Sequence, residues 1–371
     1  MKCFDENMDR KVQDINWVET PKKEDIDSYI LSGYKGMHEQ GYFGDKVKVA
    51  ILDTGILASH PQFERNIVHI NPVIDYGTGV DNNGHGTHVA GIVAEIAPMC
   101  DIYAYKVLDS GGGQPTEYGL VHSIVNAIDD SIDKKVNIIS MSFGLDTKFL
   151  TNGLKTEFIN AINRAKEANI FIVCSAGNYG NKLRTYIPAS IKGITTVGST
   201  DENYKPAYYS ATNEDIDLCQ VGTNVMSASN LIRNGVYGYT TMSGTSMATP
   251  LVTGMVALII DKYREVRKKE PVAKTIYEIL MSKAVDMGTT GWDNKTGAGF
   301  VTFKNSIKTI FYPYNKNVMF INGKEKIIPQ GLKNVRAKNG ETKGMLPIRE
   351  DNEARGVVVS WERYKGVTTR G

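Results

Sequence analysis

The sequence predicts an α/β protein of three layers: a mostly parallel central sheet, helices on both faces, and a small β-rich segment at the C-terminus. Three observations lead there. From about Lys46, short β-branched runs alternate with longer stretches of helical period, which is the pattern of strands joined by right-handed helical crossovers. The chain has 371 residues, 41% of them hydrophobic and 23% charged, enough to bury a large core. After Tyr312-Pro313 the helical period gives way to strand and turn signals.

Taken in order, residues 1–45 read as an extension and an entry helix that ends at the turn Gly41 to Asp45. Val47 to Leu52 reads as a buried strand, followed by Ile102 to Leu108, Val136 to Met141, Ile170 to Cys174 and Ile194 to Val197. Helices are expected over Glu117 to Asp133, Thr156 to Ala168 and Ser246 to Tyr263; in the second, Phe158, Ile159, Ile162 and Ala165 recur at helical spacing. The main domain therefore spans 46–312. A β-rich module follows at 313–371, with a hairpin signal at Ile321-Asn322-Gly323-Lys324.

Several function classes fall away on composition. A net charge of +2 gives no reason to expect a nucleic-acid partner, and no stretch approaches the ~20 apolar residues of a membrane span. The N-terminus has no apolar h-region, which favours a cytoplasmic protein, with an extracellular or surface form as the alternative. Cys3, Cys100, Cys174 and Cys219 form no C-x-x-C pair, so metal and redox chemistry are not indicated; a reduced state fits at least as well as a disulfide.

Three segments carry groups capable of chemistry. Asp53 closes an apolar strand in Leu52-Asp53-Thr54-Gly55, where the plain reading is a turn carboxylate. His85 stands between glycines in Asn83-Gly84-His85-Gly86-Thr87-His88, at the start of a helix. The His85/His88 spacing would suit a metal pair, but no third ligand is near. Ser246, in Ser243-Gly244-Thr245-Ser246-Met247-Ala248-Thr249-Pro250, opens an apolar helix whose free amides and positive dipole end suit a developing oxyanion. Pro250 is read as part of the first turn, where a missing N–H costs little.

These segments, DTG at Asp53, HGTHVAG at His85 and GTSMATP at Ser246, together with Ser175-Ala176-Gly177-Asn178, resemble the subtilisin family in sequence and in chain order, over about residues 30–310. The resemblance implies a serine endopeptidase acting on polypeptides, with Asp53, His85 and Ser246 as the triad and Asn178 with the Ser246 amide as the oxyanion hole. It places Ser142, Phe143 and Gly144 on one side of an extended substrate and Ser175, Ala176 and Gly177 on the other. Large apolar side chains would be the expected fit. Leu145, where the family often has a second glycine, either narrows the mouth of that pocket or packs inward.

Three departures qualify the picture. The Asn-rich loop that holds calcium in secreted members is missing after Gly91; no cofactor is required, although a loop such as 75–83 could still supply oxygens for calcium. Residues 1–45 are too short to resemble the secreted pro-domain, leaving a packing arm or an inhibitory extension, as intracellular members have. The tail (Phe320 to Lys324, Leu346 to Arg349, Glu353, Gly356, Trp361) resembles the small stalk module called the copper amine oxidase N-terminal-like domain, with no reason to expect copper. From a different class, the alternative to an enzyme is a silent or self-processing homologue that binds other proteins.

Overall fold

The computed structural model describes residues 27–72, 78–108, 116–180 and 186–304, and the backbone of four short strands after residue 317. The chain divides into two compact units, Met1–Lys304 and Asn305–Gly371. Residues 1–26, on which the question of an inhibitory extension turns, lie outside the described residues.

Among the described residues the first unit begins with two four-residue helices, α1 (Asp27–Ile30) and α2 (Lys35–His38). Strands β1 (Lys48–Asp53), β2 (Ile67–Pro72), β3 (Asp101–Lys106) and β4 (Ile138–Met141) follow, separated by helices α3 (His85–Ile96) and α4 (Glu117–Asp133). Then come the short β5 (Leu145–Asp146), helix α5 (Asn152–Glu167), β6 (Phe171–Ser175), the short β7 (Tyr186–Ile187), β8 (Thr195–Thr200) and β9 (Leu218–Val221). A hairpin of β10 (Val225–Arg233) and β11 (Val236–Met242) leads into α6 (Thr245–Arg267) and α7 (Ala273–Met281). Two short strands, β12 (Ala284–Val285) and β13 (Phe300–Val301), close the unit.

One sheet runs in the order β12-β13-β9-β8-β6-β4-β1-β3-β2, parallel throughout except for the β12–β13 pair. Both faces are covered, which is why its central strands read as unbroken apolar runs. Successive side chains alternate between the faces. Ala50 and Leu52, Ile139 and Met141, and Ile172 and Cys174 pack with Leu120, Ile124 and Ile128 of α4 and Phe158 and Ile162 of α5. Helices α3 and α6 pack on the sheet together, α3 on β1 and α6 across β4, β6, β8 and β9.

Two expectations change in detail. The buried stripe of α5 is Phe158, Ala161, Ile162 and Ala165, while Ile159 is exposed on its flank. Pro250 is the sixth residue of α6 instead of a first-turn residue, so it removes a helical hydrogen bond. The consequence appears at the site below. In the second unit, β14 (Val318–Ile321) pairs antiparallel with β15 (Lys324–Ile327), Ile321 opposite Lys324, as the Asn-Gly signal predicts. There, β16 (Lys333–Arg336) pairs with β17 (Thr342–Met345). Among the described residues no helix is long and apolar enough to cross a membrane.

Candidate active site

Parallel strands bring their carboxyl ends to one rim, and β1 sits where the strand order reverses: β3 and β2 lie to one side, β4, β6 and β8 to the other. Open α/β sheets bind ligands at such a switch point. Asp53 ends β1; Ser142, Phe143 and Gly144 continue from neighbouring β4; Ser175 ends β6 and leads into Ala176, Gly177 and Asn178. Residues more than a hundred positions apart therefore meet along a few adjacent strands.

Asp53 is 1% exposed, and its Oδ1 accepts from the Thr54 amide at 2.8 Å and from His85 Nδ1 at 2.7 Å. His85 is the first residue of α3, and the backbone packs tightly around it. A Cβ on Gly86 would overlap the Gly55 carbonyl oxygen, and the Gly86 amide donates to Thr54 Oγ1 at 2.8 Å. Burial pulls the His85 pKa down. The charge and hydrogen bond of Asp53, reinforced by the charge of Asp81, outweigh it and leave the pKa above the ordinary histidine value.

Asp81 was not singled out in the sequence, yet it clasps this arrangement. Its Oδ1 accepts from Thr54 Oγ1 and the amides of Asn83 and Gly84, each at 2.9 Å; its Oδ2 accepts from the Thr87 amide at 2.8 Å and Thr87 Oγ1 at 2.7 Å. A carboxylate there satisfies free amides at the start of α3 and meets the positive end of its dipole. The pattern Asp81-Asn82-Asn83-Gly84 ahead of a helix was a readable capping signal. Lys106, buried at the end of β3, donates to the Thr54 and Val80 carbonyls at 3.2 and 3.0 Å and to Asn82 Oδ1 at 2.7 Å.

Ser246 is the second residue of α6 and 4% exposed. Pro250 has no N–H for the Ser246 carbonyl, four residues back. The Ser142 hydroxyl takes the missing donor's place at 3.0 Å, and the Ser246 hydroxyl donates to the Ser142 carbonyl, also at 3.0 Å. Asn178 is held with equal care. Its Oδ1 accepts from the Thr245 amide at 2.8 Å and Thr245 Oγ1 at 2.9 Å, which leaves the two Nδ2 hydrogens as its donors.

Of the remaining expected site residues, Phe143, Ser175 and Ala176 are buried in the strand ends, and Gly144 and Gly177 are partly exposed. Leu145 is fully buried in the core, paired through β5 with Ile187 of β7, so it packs inward and does not cover the mouth of a pocket. His88 lies beside His85 but donates Nε2 to the Thr240 carbonyl at 3.0 Å. Burial, with the nearby His85 charge, drives its pKa to about 3, so it is neutral at neutral pH. Among the described residues no group of three His, Cys, Asp or Glu side chains is placed to hold a metal. In the 75–83 loop, Asp81 commits both oxygens to the protein and Asp75 lies outside the described residues. His122 Nδ1 pairs with Glu157 Oε1 at 2.9 Å.

The model of the subtilase family matches residues 44–299. The chain belongs to the subtilase family. Over 239 residues this subtilase is 38% identical to the thermostable alkaline protease of Halalkalibacterium halodurans, a match covering 61% of this chain; the chain spans 60% of that relative's length. It is 35% identical to the major intracellular serine protease of Bacillus subtilis, across 60% of this chain and 71% of that protein. Among solved structures, one titled as a lanthipeptide protease aligns with a TM-score of 0.68 at 27% identity, covering 77% of this chain and 96% of that one.

Proposed function

We propose that this subtilase is a serine endopeptidase that cleaves polypeptides through an acyl-enzyme on Ser246. The observation that carries the reading is the buried 2.7 Å hydrogen bond from His85 Nδ1 to Asp53 Oδ1, formed on the rim that also presents Ser246 and Asn178. With Nδ1–H committed to the carboxylate, the Nε2 lone pair is the base. The Ser246 hydroxyl turns from the Ser142 carbonyl to Nε2, loses its proton there, and its oxygen attacks the scissile carbonyl. Asn178 Nδ2 and the Ser246 amide, at the positive end of α6, donate to the resulting oxyanion. The imidazolium, stabilised by Asp53, returns the proton to the leaving amine. Water then enters, gives a proton to His85 and releases the acid product by the same steps in reverse.

An extended substrate fits between 142–144 and 175–177 as an added strand, which fixes its backbone and leaves selectivity to side-chain pockets. The relatives' names, an alkaline protease, an intracellular serine protease and a lanthipeptide protease, support the reaction class. The reading of a silent binding homologue finds no missing triad member to favour it. The two hairpins after residue 317 support a separate small β module. A fluorophosphonate is expected to label Ser246, and casein hydrolysis to vanish in Ser246→Ala. Labelling of another residue, or hydrolysis that survives the substitution, overturns the proposal.

A further inference from the structure

Each of the two walls assigned to the substrate carries a glycine, and each glycine has a tyrosine ring against it. On the 142–144 side, a Cβ on Gly144 would stand 3.0 Å from Tyr186 Cδ1 and 3.3 Å from its Cβ. On the 175–177 side, a Cβ on Gly177 would overlap Cε1 of Tyr179. The two rings then stack on each other, centroids 4.9 Å apart and planes 17° from parallel. Contact therefore runs from wall to ring to ring to wall. The spacing is that of two aromatic rings in van der Waals contact, with no room for a third.

Neither ring hangs on a loose tether. Tyr179 is 8% exposed, and its Oη accepts from Asn213 Nδ2 at 3.0 Å. Tyr186 lies in β7, opposite Asp146, and its neighbour Ile187 is buried opposite Leu145. Admitting a large side chain between the walls requires Tyr186 to leave both Gly144 and Tyr179, whereas a methyl or hydroxymethyl group needs far less space.

We infer that Tyr186, backed by Tyr179, fills the primary pocket, so that this subtilase requires a small residue (Gly, Ala or Ser) on the acyl side of the bond it cuts. This rests on the peptidase reading above and reverses the large apolar preference expected from resemblance.

The test uses the full chain, with active sites counted by fluorophosphonate labelling of Ser246. Matched peptide amides differing only by Ala or Phe before the scissile bond are then compared. Single methylenes discriminate by about 10–200-fold, so kcat/KM for Ala is expected to exceed that for Phe by about 10²-fold or more. Tyr186→Gly should cut that ratio at least about tenfold, through faster Phe cleavage, while Tyr186→Phe, which keeps the ring, should preserve it. Efficient wild-type cleavage after Phe or Leu overturns the inference, as does an unchanged ratio in a folded, fully labelled Tyr186→Gly. If Tyr186→Gly does not fold, the wild-type ratio decides alone. Absence of both labelling and cleavage sinks the peptidase reading itself, whereas labelling with the wrong preference sinks only the pocket.

Discussion

Removing the Ser142 hydroxyl tests the joint between β4 and α6. The Ser246 carbonyl has no helical donor because residue 250 is proline, and Ser142 Oγ is the group that replaces it, at 3.0 Å. Ser142 is 1% exposed and Ser246 4%, so water has little access to the orphaned oxygen. Leaving a buried acceptor unmade costs about 1–3 kcal/mol, and Ser142→Ala should destabilise the fold by that amount. Pro250→Ala restores an N–H at the position from which a helix donates to residue 246. In that background Ser142→Ala should cost less than about 1 kcal/mol, a coupling of about 1–2 kcal/mol between two residues that share one carbonyl. Urea unfolding of the four combinations, all carrying Ser246→Ala to stop self-digestion, reads this as shifts in midpoint at constant m. Equal costs in the two backgrounds would refute the substitution of a serine hydroxyl for a helical amide.

Further outcomes follow from the same geometry. Asn178→Leu removes the proposed oxyanion donor together with the acceptor of the Thr245 amide and hydroxyl, so it should cost stability as well. In the folded, fully labelled fraction kcat should fall about 10²–10³-fold with KM little changed, a magnitude established on subtilisin itself and carried over by family. Because His85 must be neutral to act and its pKa is raised, the acid limb of kcat/KM should have its midpoint above about pH 6.5. Asp53→Asn removes the leading upward influences while burial stays, so the limb should move to lower pH as kcat drops; a wild-type midpoint at or below that value contradicts the assignment. Cys100, Cys174 and Cys219 are buried and free, and burial pushes the first two thiols up to about 12 and the third higher still. A thiol reagent at pH 8 should leave these three unreacted in the native protein and modify them after denaturation.

Much of the fold was legible because burial leaves a period in the sequence. The α4 helix runs over Glu117–Asp133 as its pattern predicts, and the five expected strands all belong to the sheet. Helix α5 begins four residues before its expected start. Thr151 caps it through Leu154 N at 3.3 Å, and Asn152-Gly153 disguises its first turn as a loop. The β10–β11 hairpin went unread although Asn234 and Gly235 both adopt positive φ, 50° and 78°, the conformation that an Asn-Gly turn favours. Irregular register between Ala228 and Ile232 breaks the alternation that would have marked the strands. At the site, Asp53, His85, Ser246 and Asn178 stood out by motif. Asp81 did not, although Asp81-Asn82-Asn83-Gly84 ahead of a helix is a local capping signal. Lys106 did not because one lysine at a strand end looks ordinary until its partners are known.

By itself the sequence determined which reactive groups the chain owns, that they close parallel strands or open helices, and hence that they share one rim. Tertiary structure alone decided the finer matters: that Ser142 serves the carbonyl Pro250 abandons, that Asp81 clasps β1 to α3, and that Tyr179 and Tyr186 stack on each other. Apolar periodicity records which side of an element faces inward. The identity of a partner a hundred residues away depends on how both faces of the sheet pack, and no local spacing encodes it.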